Sequence, residues 1–340
     1  MPIAFILTRI RHPLELALGE SVLDGLDPEA VQAELEQILS DLVSEACQKT
    51  RLNKLCIAGG VGLNSVANYK ILQNCGLENV FTFPAAADNG IAAGCALWAY
   101  HTQEGGSERP ALGSVCFGRS YSKNEVDAAI DAFSDRIDVQ QHEPEDLTHQ
   151  VAKALTRGNI VARFESGSEY GPRALGHRSI LADPAFERMK DVVNARVKFR
   201  EAFRPFAPFV PLERANEVFD LSIPSPYMLL VAPVQEDRRL QMTKEEENLF
   251  GIDKLNQARS DIPAVTHVDY SARVQTVSET DNPPYYRLLK AFQELTGCSV
   301  IVNTSFNVRG EPIVCTPEDA YRCFITSQKL VANTWHLFFN

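Results

Sequence analysis

The chain has no Cys-x-x-Cys pair. Its eight cysteines (Cys47, Cys56, Cys75, Cys95, Cys116, Cys298, Cys315 and Cys323) are scattered, most of them inside apolar stretches such as Leu55-Cys56-Ile57. That pattern excludes a zinc ribbon and a thioredoxin-like redox motif, and predicts small buried thiols in a reducing cytosol. No apolar run approaches the length of a membrane span, which predicts a protein that works in solution. The first residues, Met1 to Leu7, carry no basic n-region and are followed at once by Arg9, Arg11 and His12. No secretory leader is expected from them. Positive charge is also in short supply: 33 Lys/Arg against 44 Asp/Glu leave a formal net charge of −11. So acidic a surface disfavours nucleic acid as a partner.

One region runs against that balance. Between Arg157 and Arg204 there are ten Lys/Arg and only six Asp/Glu, set among glycine, proline and apolar residues. Cations in that setting suggest a pocket for a small anion. Length allows two domains, each with a core of its own, and composition is that of a globular protein: 340 residues, 45% apolar, 19 Gly and 19 Pro.

Coarse periodicity predicts strand–loop–helix units. Asp27-Pro28 reads as an N-cap before proline at the first helical position, with Val31, Leu35, Ile38, Leu39, Leu42 and Ala46 on one helical face. A strand over 54–58, a glycine turn, a helix over 65–72, a strand over 80–83 and an apolar helix over 91–101 follow. This is the grammar of an α/β sheet with ligands at the carboxyl ends of its strands. Gly105-Gly106-Ser107, Pro110 and Gly113 mark a linker, so domains are expected over 1–110 and 111–340. Beyond it come helices near 123–133 and 145–157, a strand at 160–164, a helix over 187–197, and strands at 206–210 and 227–234. An exposed polar insertion over 235–263 follows, then a helix over 285–295, a strand at 299–302, a loop over 303–312 and a helix over 317–325.

Several loops carry chemistry. Gly59-Gly60-Val61-Gly62-Leu63-Asn64 lies between strand and helix, where glycines let a nucleotide approach the backbone and the helix N-terminus favours phosphate. It is neither a P-loop nor a GxGxxG fingerprint, and a plain tight turn fits it as well. Asp88 before Asn89-Gly90 reads first as a helix cap, and a carboxylate there could also hold a divalent metal. Glu169 to Ser179 offers Arg173 and Arg178 as rigid forks for phosphate oxygens behind Gly171-Pro172. Lys198, Arg200 and Arg204 add three cations; 198 and 200 point apart on a helix, so their jobs differ. Arg204, enclosed in Phe203-Arg204-Pro205-Phe206, is expected to need an anionic partner, from the protein or from a ligand. Asn303, Thr304, Ser305 and Asn307 are sized for phosphate or carbamoyl groups, and His267 and Arg273 precede them. His177 and His267 stand at no metal-ligand spacing and read as ordinary hydrogen-bonded histidines.

Gly59 to Asn64, Pro84 to Asp88, Glu169 to Gly176 with Arg178 to Pro184, Val197 to Pro208, Thr266 to Asp269 with Ala272 to Val277, and Val302 to Asn307 occur here in order. In these segments the chain resembles the O-carbamoyltransferase family that acts on antibiotic and nodulation-factor hydroxyls. The resemblance implies a fold: part of an actin/Hsp70-type ATPase lobe, followed by a twisted-sheet α+β domain similar to the threonylcarbamoyl-adenylate synthases (YrdC-like). It also implies a reaction: carbamoyl phosphate and ATP with Mg give carbamoyl-adenylate and pyrophosphate, and the carbamoyl group then passes to an alcohol. Arg173, Lys198, Arg204, Arg273 and Ser305 would bind the reacting anions, with Arg178, Arg200, His267, Asn303, Thr304 and Asn307 around them. Gly59, Gly60 and Asn64 would face the adenylate, and Asp88 would ligate an Fe(II)-type metal.

The sequence departs from the family pattern in one respect. The family's metal-binding HxxxH is absent, and the only histidine before His101 is His12. The expected partners are therefore carbamoyl phosphate, ATP, a small-molecule alcohol, a second chain supplying the HxxxH lobe, and a second copy of this chain. Two other readings stand beside the transferase: a threonylcarbamoyl-adenylate synthase for tRNA modification, and a non-catalytic nucleotide-binding partner of a longer transferase.

Overall fold

The computed structural model of the protein describes residues 27–109, 112–135, 144–201, 204–331 and 335–339. It divides into two compact units, one up to Ala111 that also takes in Leu229–Val231, the other comprising Leu112–Met228 and Ala232–Asn340.

In the first unit, helix α1 (Pro28–Thr50) begins at Asp27, whose carboxylate accepts from the Glu29 N–H, and proline sits in the first turn as expected. Its buried residues are Leu39, Ser40 and Val43; Val31 and Leu42, expected on the buried face, are exposed. Strands β1 (Lys54–Ile57) and β2 (Asn79–Thr82) pair in parallel, linked by helix α2 (Ser65–Asn74). Helix α3 (Ile91–Thr102) follows a short 3-10 turn at Asp88–Gly90. A Cβ on Gly90 would lie 2.0 Å from the Ala85 carbonyl oxygen, so only glycine lets the chain fold back there. No residue of α3 is buried, and Ile91, Leu97 and Trp98 stand open to solvent.

The second unit is a seven-stranded mixed sheet in the order β6-β7-β5-β8-β4-β3-β9, which bears out the α/β class. Its strands are β3 (Ile160–Phe164), β4 (Arg178–Ala182), β5 (Ala207–Pro211), β6 (Leu230–Pro233), β7 (Ser271–Val277), β8 (Ile301–Ser305) and β9 (Trp335–Phe339). β3–β9 and β5–β7 are parallel; β3–β4, β4–β8 and β5–β8 are antiparallel. Strands β3, β4 and β5 are buried throughout, the polar residues Arg163, Arg178 and Ser179 included. Its longer helices are α4 (Lys123–Phe133), α5 (Pro144–Thr156), α6 (Pro283–Thr296) and α7 (Pro317–Val331).

Four expectations change here. The helix expected over 187–197 is a short helix, Met189–Val193, running into a π-turn, Asn194–Lys198, that ends on Phe199 in the left-handed region (φ +49). β4 and β7 are strands where only binding loops were foreseen. The loop expected from Asn303 begins only after Ser305, because Asn303 and Ser305 pair with Leu181 and Ser179 in the ladder. Lastly, the 235–263 insertion is tied in at its end, with Arg259, Ser260 and Ile262 buried.

Candidate functional site

The register fixes one working face of the sheet. Phe209 pairs with Gln275 and with Ile301, and Ala207 pairs with Asn303. Side chains alternate along a strand, so Gln275 and Asn303 share a face, together with Arg273 and Ser271 on β7 and Ser305 on β8. Thr304 falls on the opposite face. The expectation that Asn303, Thr304 and Ser305 act together came from reading them as a loop, and strand alternation removes Thr304 from the group.

The 169–178 loop is held over this face from both sides. The Asn303 amide donates to the Ala174 carbonyl at 2.8 Å, and the Gln275 amide donates to the Leu175 carbonyl at 3.0 Å. From within, one oxygen of Glu169 accepts the backbone N–H groups of Leu175, His177 and Arg178 at 2.7, 2.8 and 3.3 Å. Gly176 takes φ +120, and its N–H reaches the Ser179 hydroxyl at 2.9 Å. These bonds leave Arg173 presented at the loop's crest. Glu169→Ala would orphan three loop amides, and we expect it to destabilise the protein by about 2–4 kcal/mol, read from urea midpoints.

Arg178 is not part of the ligand surface. It is fully buried, its guanidinium donates to the carbonyls of Glu165, Ser166 and His177, and it lies over the Phe164 ring at 3.6 Å. Its expected role in substrate binding is corrected: starting β4 turns the side chain inward, where it organises the loop.

Arg173 and Arg273 behave differently. Like Arg178, each has a buried Nε with no hydrogen-bond partner, but both side chains are only half-buried, and neither guanidinium makes a carbonyl hydrogen bond or an ion pair among the described residues. Burial pushes the Arg273 guanidinium down to about 10, with the charges of Arg173 and Arg200 adding to the effect. Burial likewise lowers Arg173. Arg200 is aimed by Asn194, whose side-chain oxygen accepts from its Nε at 2.7 Å, and it stacks on Phe206 at 4.9 Å. Asn194 itself is buried at the start of the π-turn and donates to the Arg204 carbonyl. Nothing in its local sequence marked it out.

Lys198, next along the turn, reaches the end of β8. Its Nζ donates to the Ser305 carbonyl and hydroxyl and to the Asn307 carbonyl and side-chain oxygen. Burial first, and then the charge of Arg200, pull its pKa from 10.5 down to about 7. Lys198 and Arg200 thus have different partners, one at the end of β8 and the other at Asn194 and Phe206. Arg204 has the anionic partner expected of it, and the protein supplies it: Glu201 at 3.3 Å. The enclosed setting is not found, since the Arg204 side chain is 56% exposed.

In the first unit the 59–64 turn is tied to the 84–88 loop by the Gly59 N–H on the Ala86 carbonyl at 2.8 Å. Gly60 faces open space. Asn64 caps α2, accepting from Ala67 N–H, and its amide donates to Gln32. Asp88 is exposed and makes no side-chain cap bond. Among the described residues no group of three or more His, Cys, Asp and Glu could hold a metal. Asp88 alone is not a metal site.

This face of β7 and β8 and the glycine turn lie in segments that match known families. Residues 28–97 match the family described as Carbamoyltransferase N-terminus, and residues 152–335 match Carbamoyltransferase C-terminus. The chain belongs to the carbamoyltransferase family. A Synechocystis sp. protein of unstated function is 46% identical over 88% of this chain and 49% of its own length. The nodulation protein NolNO of Sinorhizobium fredii is 37% identical, over 88% of this chain and 41% of its own. The 3'-hydroxymethylcephem-O-carbamoyltransferase of Streptomyces clavuligerus is 32% identical, over 83% and 48%. The chain thus spans about half the length of the curated relatives it matches. No helix among the described residues is long and apolar enough to cross a membrane.

Proposed function

We propose that the second unit forms carbamoyl-adenylate from carbamoyl phosphate and ATP with Mg, in the cytoplasm, as the synthesising part of an O-carbamoyltransferase. One observation carries the reading: four cations bear on one another, Arg173 and Arg200 on Arg273 and Arg200 on Lys198, and none of the four makes an ion pair among the described residues. A folded chain does not keep buried cations together without a counter-charge unless a ligand supplies it. Carbamoyl phosphate and the ATP phosphates are anions of the right kind.

In this reading Arg173, Arg273 and Arg200 neutralise the phosphate oxygens, and Lys198, steadied by Ser305 and Asn307, meets charge that develops on the transferring group. Carbamoyl phosphate reacts with water to give phosphate and carbamate. The carbamate oxygen attacks the α-phosphorus of ATP, and pyrophosphate departs. Transfer to an alcohol of a small molecule follows. It would use the glycine turn and Asp88 together with an HxxxH lobe from another chain or segment, where an Fe(II)-type metal would be held. A homodimer is a further part of the proposal. The exposed apolar residues of α3 favour a covering partner for the first unit.

Incubation with ATP and carbamoyl phosphate should release pyrophosphate only when both are present. Release that requires threonine and bicarbonate instead would favour the threonylcarbamoyl-adenylate synthase. ATP binding with no turnover under either condition would leave a nucleotide-binding partner and reject synthesis by this chain.

A further inference from the structure

A second polar constellation borders the cations. The segment from His267 to Ser271 is a closed turn: the Tyr270 N–H donates to the His267 carbonyl at 3.1 Å, and the His267 N–H donates to the Ser271 carbonyl at 2.8 Å. Tyr270 adopts φ +63 to make the turn. The backbone therefore fixes the imidazole beside the Ser271 hydroxyl, and His267 Nδ1 lies 3.0 Å from Ser271 Oγ.

The direction of that bond follows from its neighbour. Ser271 Oγ donates its single hydrogen to the Asp269 carboxylate at 2.6 Å, and the Ser271 N–H donates to the same oxygen at 3.1 Å. A hydroxyl has one hydrogen, and an ionised carboxylate only accepts. The His267–Ser271 bond must then use a hydrogen on Nδ1. In the neutral imidazole this leaves Nε2 as a bare acceptor, and it makes no hydrogen bond among the described residues. Burial lowers the pKa of His267, Asp269 opposes that, and the Arg273 charge reinforces the lowering, a direction that favours the neutral ring.

Ser271 and Arg273 occupy the same face of β7, two residues apart, so the chain Asp269–Ser271–His267 ends next to the guanidinium of Arg273. A cluster that accepts an anion is thus bordered by one neutral group that can only accept a hydrogen. The ligand that satisfies both has an anionic end and an N–H donor close to it.

We infer that His267, held as the Nδ1–H tautomer by Ser271 and Asp269, is the specificity-determining acceptor for the amide of the carbamoyl group. This rests on the functional reading above and deepens it. Acetyl phosphate has the same anion and nearly the same shape, but a methyl group where carbamoyl phosphate has NH2. It would leave Nε2 without a donor, an arrangement that disfavours the analogue. His267 touches the substrate in this scheme; Ser271 and Asp269 are positioning residues.

The test uses the whole chain with freshly prepared carbamoyl phosphate, acetyl phosphate and inorganic phosphate as probes. Nitrogen-15 NMR of the imidazoles should show His267 as the Nδ1–H tautomer. Calorimetry should show carbamoyl phosphate binding about tenfold or more tighter than acetyl phosphate. Ser271→Ala should shift the tautomer and erase that preference while inorganic phosphate binds as before, and Ser271→Thr, which keeps the hydroxyl, should restore both. An Nε2–H tautomer in the natural chain, or equal binding of the two acyl phosphates with phosphate binding intact, overturns this inference alone. So does a His267→Gln variant that binds ATP more weakly with its acyl-phosphate preference unchanged, since the ring would then read a ribose hydroxyl. Failure of all three phosphates to bind overturns the functional reading and this inference with it.

Discussion

Arg273→Ala should lower carbamoyl-phosphate-dependent pyrophosphate release by about 100- to 1,000-fold, the usual cost of losing one preorganised group that faces developing charge. The same change should leave the fold as stable as before, or raise its stability by about 1 kcal/mol. Both halves follow from one fact: the guanidinium is pushed down by burial and by Arg173 and Arg200, and its Nε has no protein acceptor. Removing it relieves a buried, unsatisfied cation in the free protein and deletes an anion contact in the complex. Arg178→Ala is the control, because that side chain is fully buried, its two terminal nitrogens donate to three carbonyls, and it lies over the Phe164 ring. It should destabilise strongly. Urea midpoints and pyrophosphate assays on the two variants separate the roles. Loss of stability in Arg273→Ala matching that of Arg178→Ala would make Arg273 a structural residue.

The second large effect is on pH dependence and belongs to Lys198. Its folded pKa is about 7, against 10.5 for the free side chain. Between those values the unfolded chain binds a proton that the folded chain does not, so stability rises with pH across that window. Below pH 7 both states are protonated, and the buried ammonium exacts its full cost, on the order of 3–5 kcal/mol. Lys198→Met should therefore gain most over the natural chain below pH 7, with the gap closing as pH climbs towards 10. Urea midpoints of both proteins at pH 6.5, 8 and 9.5 read this directly. A gap that stays constant with pH would show that Lys198 titrates like an ordinary lysine. Ligand binding gives the companion result. A phosphate beside Nζ favours the ammonium, so above pH 7 phosphate should bind with uptake of a proton, measured by calorimetry in buffers of different ionisation enthalpy.

Much of the architecture was legible in the chain. Asp27-Pro28 marks the start of α1, and the apolar-rich run Ile160–Phe164, broken only by Arg163, marks β3; signals of this kind are local and survive folding. β7 was harder to see. Ser271-Ala272-Arg273-Val274-Gln275 alternates as a strand should, but its polar residues face a loop about 100 positions away instead of solvent. The π-turn at Asn194–Lys198 was equally hidden. A helical pattern runs into it, and only the left-handed Phe199 and the Asn194 side chain reveal that the chain has turned.

The sequence by itself determined the family, the local excess of positive charge between Arg157 and Arg204, and the residue types that suit an anion. Tertiary structure alone decided which cations face a ligand. Arg173 and Arg178 lie five positions apart in one motif, yet the first ends without an acceptor and the second is buried under carbonyls. Arg204 was lost to solvent and Glu201, and Thr304 to the far side of β8. The physical reason is common to all four. Residue type fixes what a side chain can bond, but its direction is set by distant backbone partners: Asn303 and Gln275 hold the loop under Arg173, and the β4 ladder turns Arg178 inward.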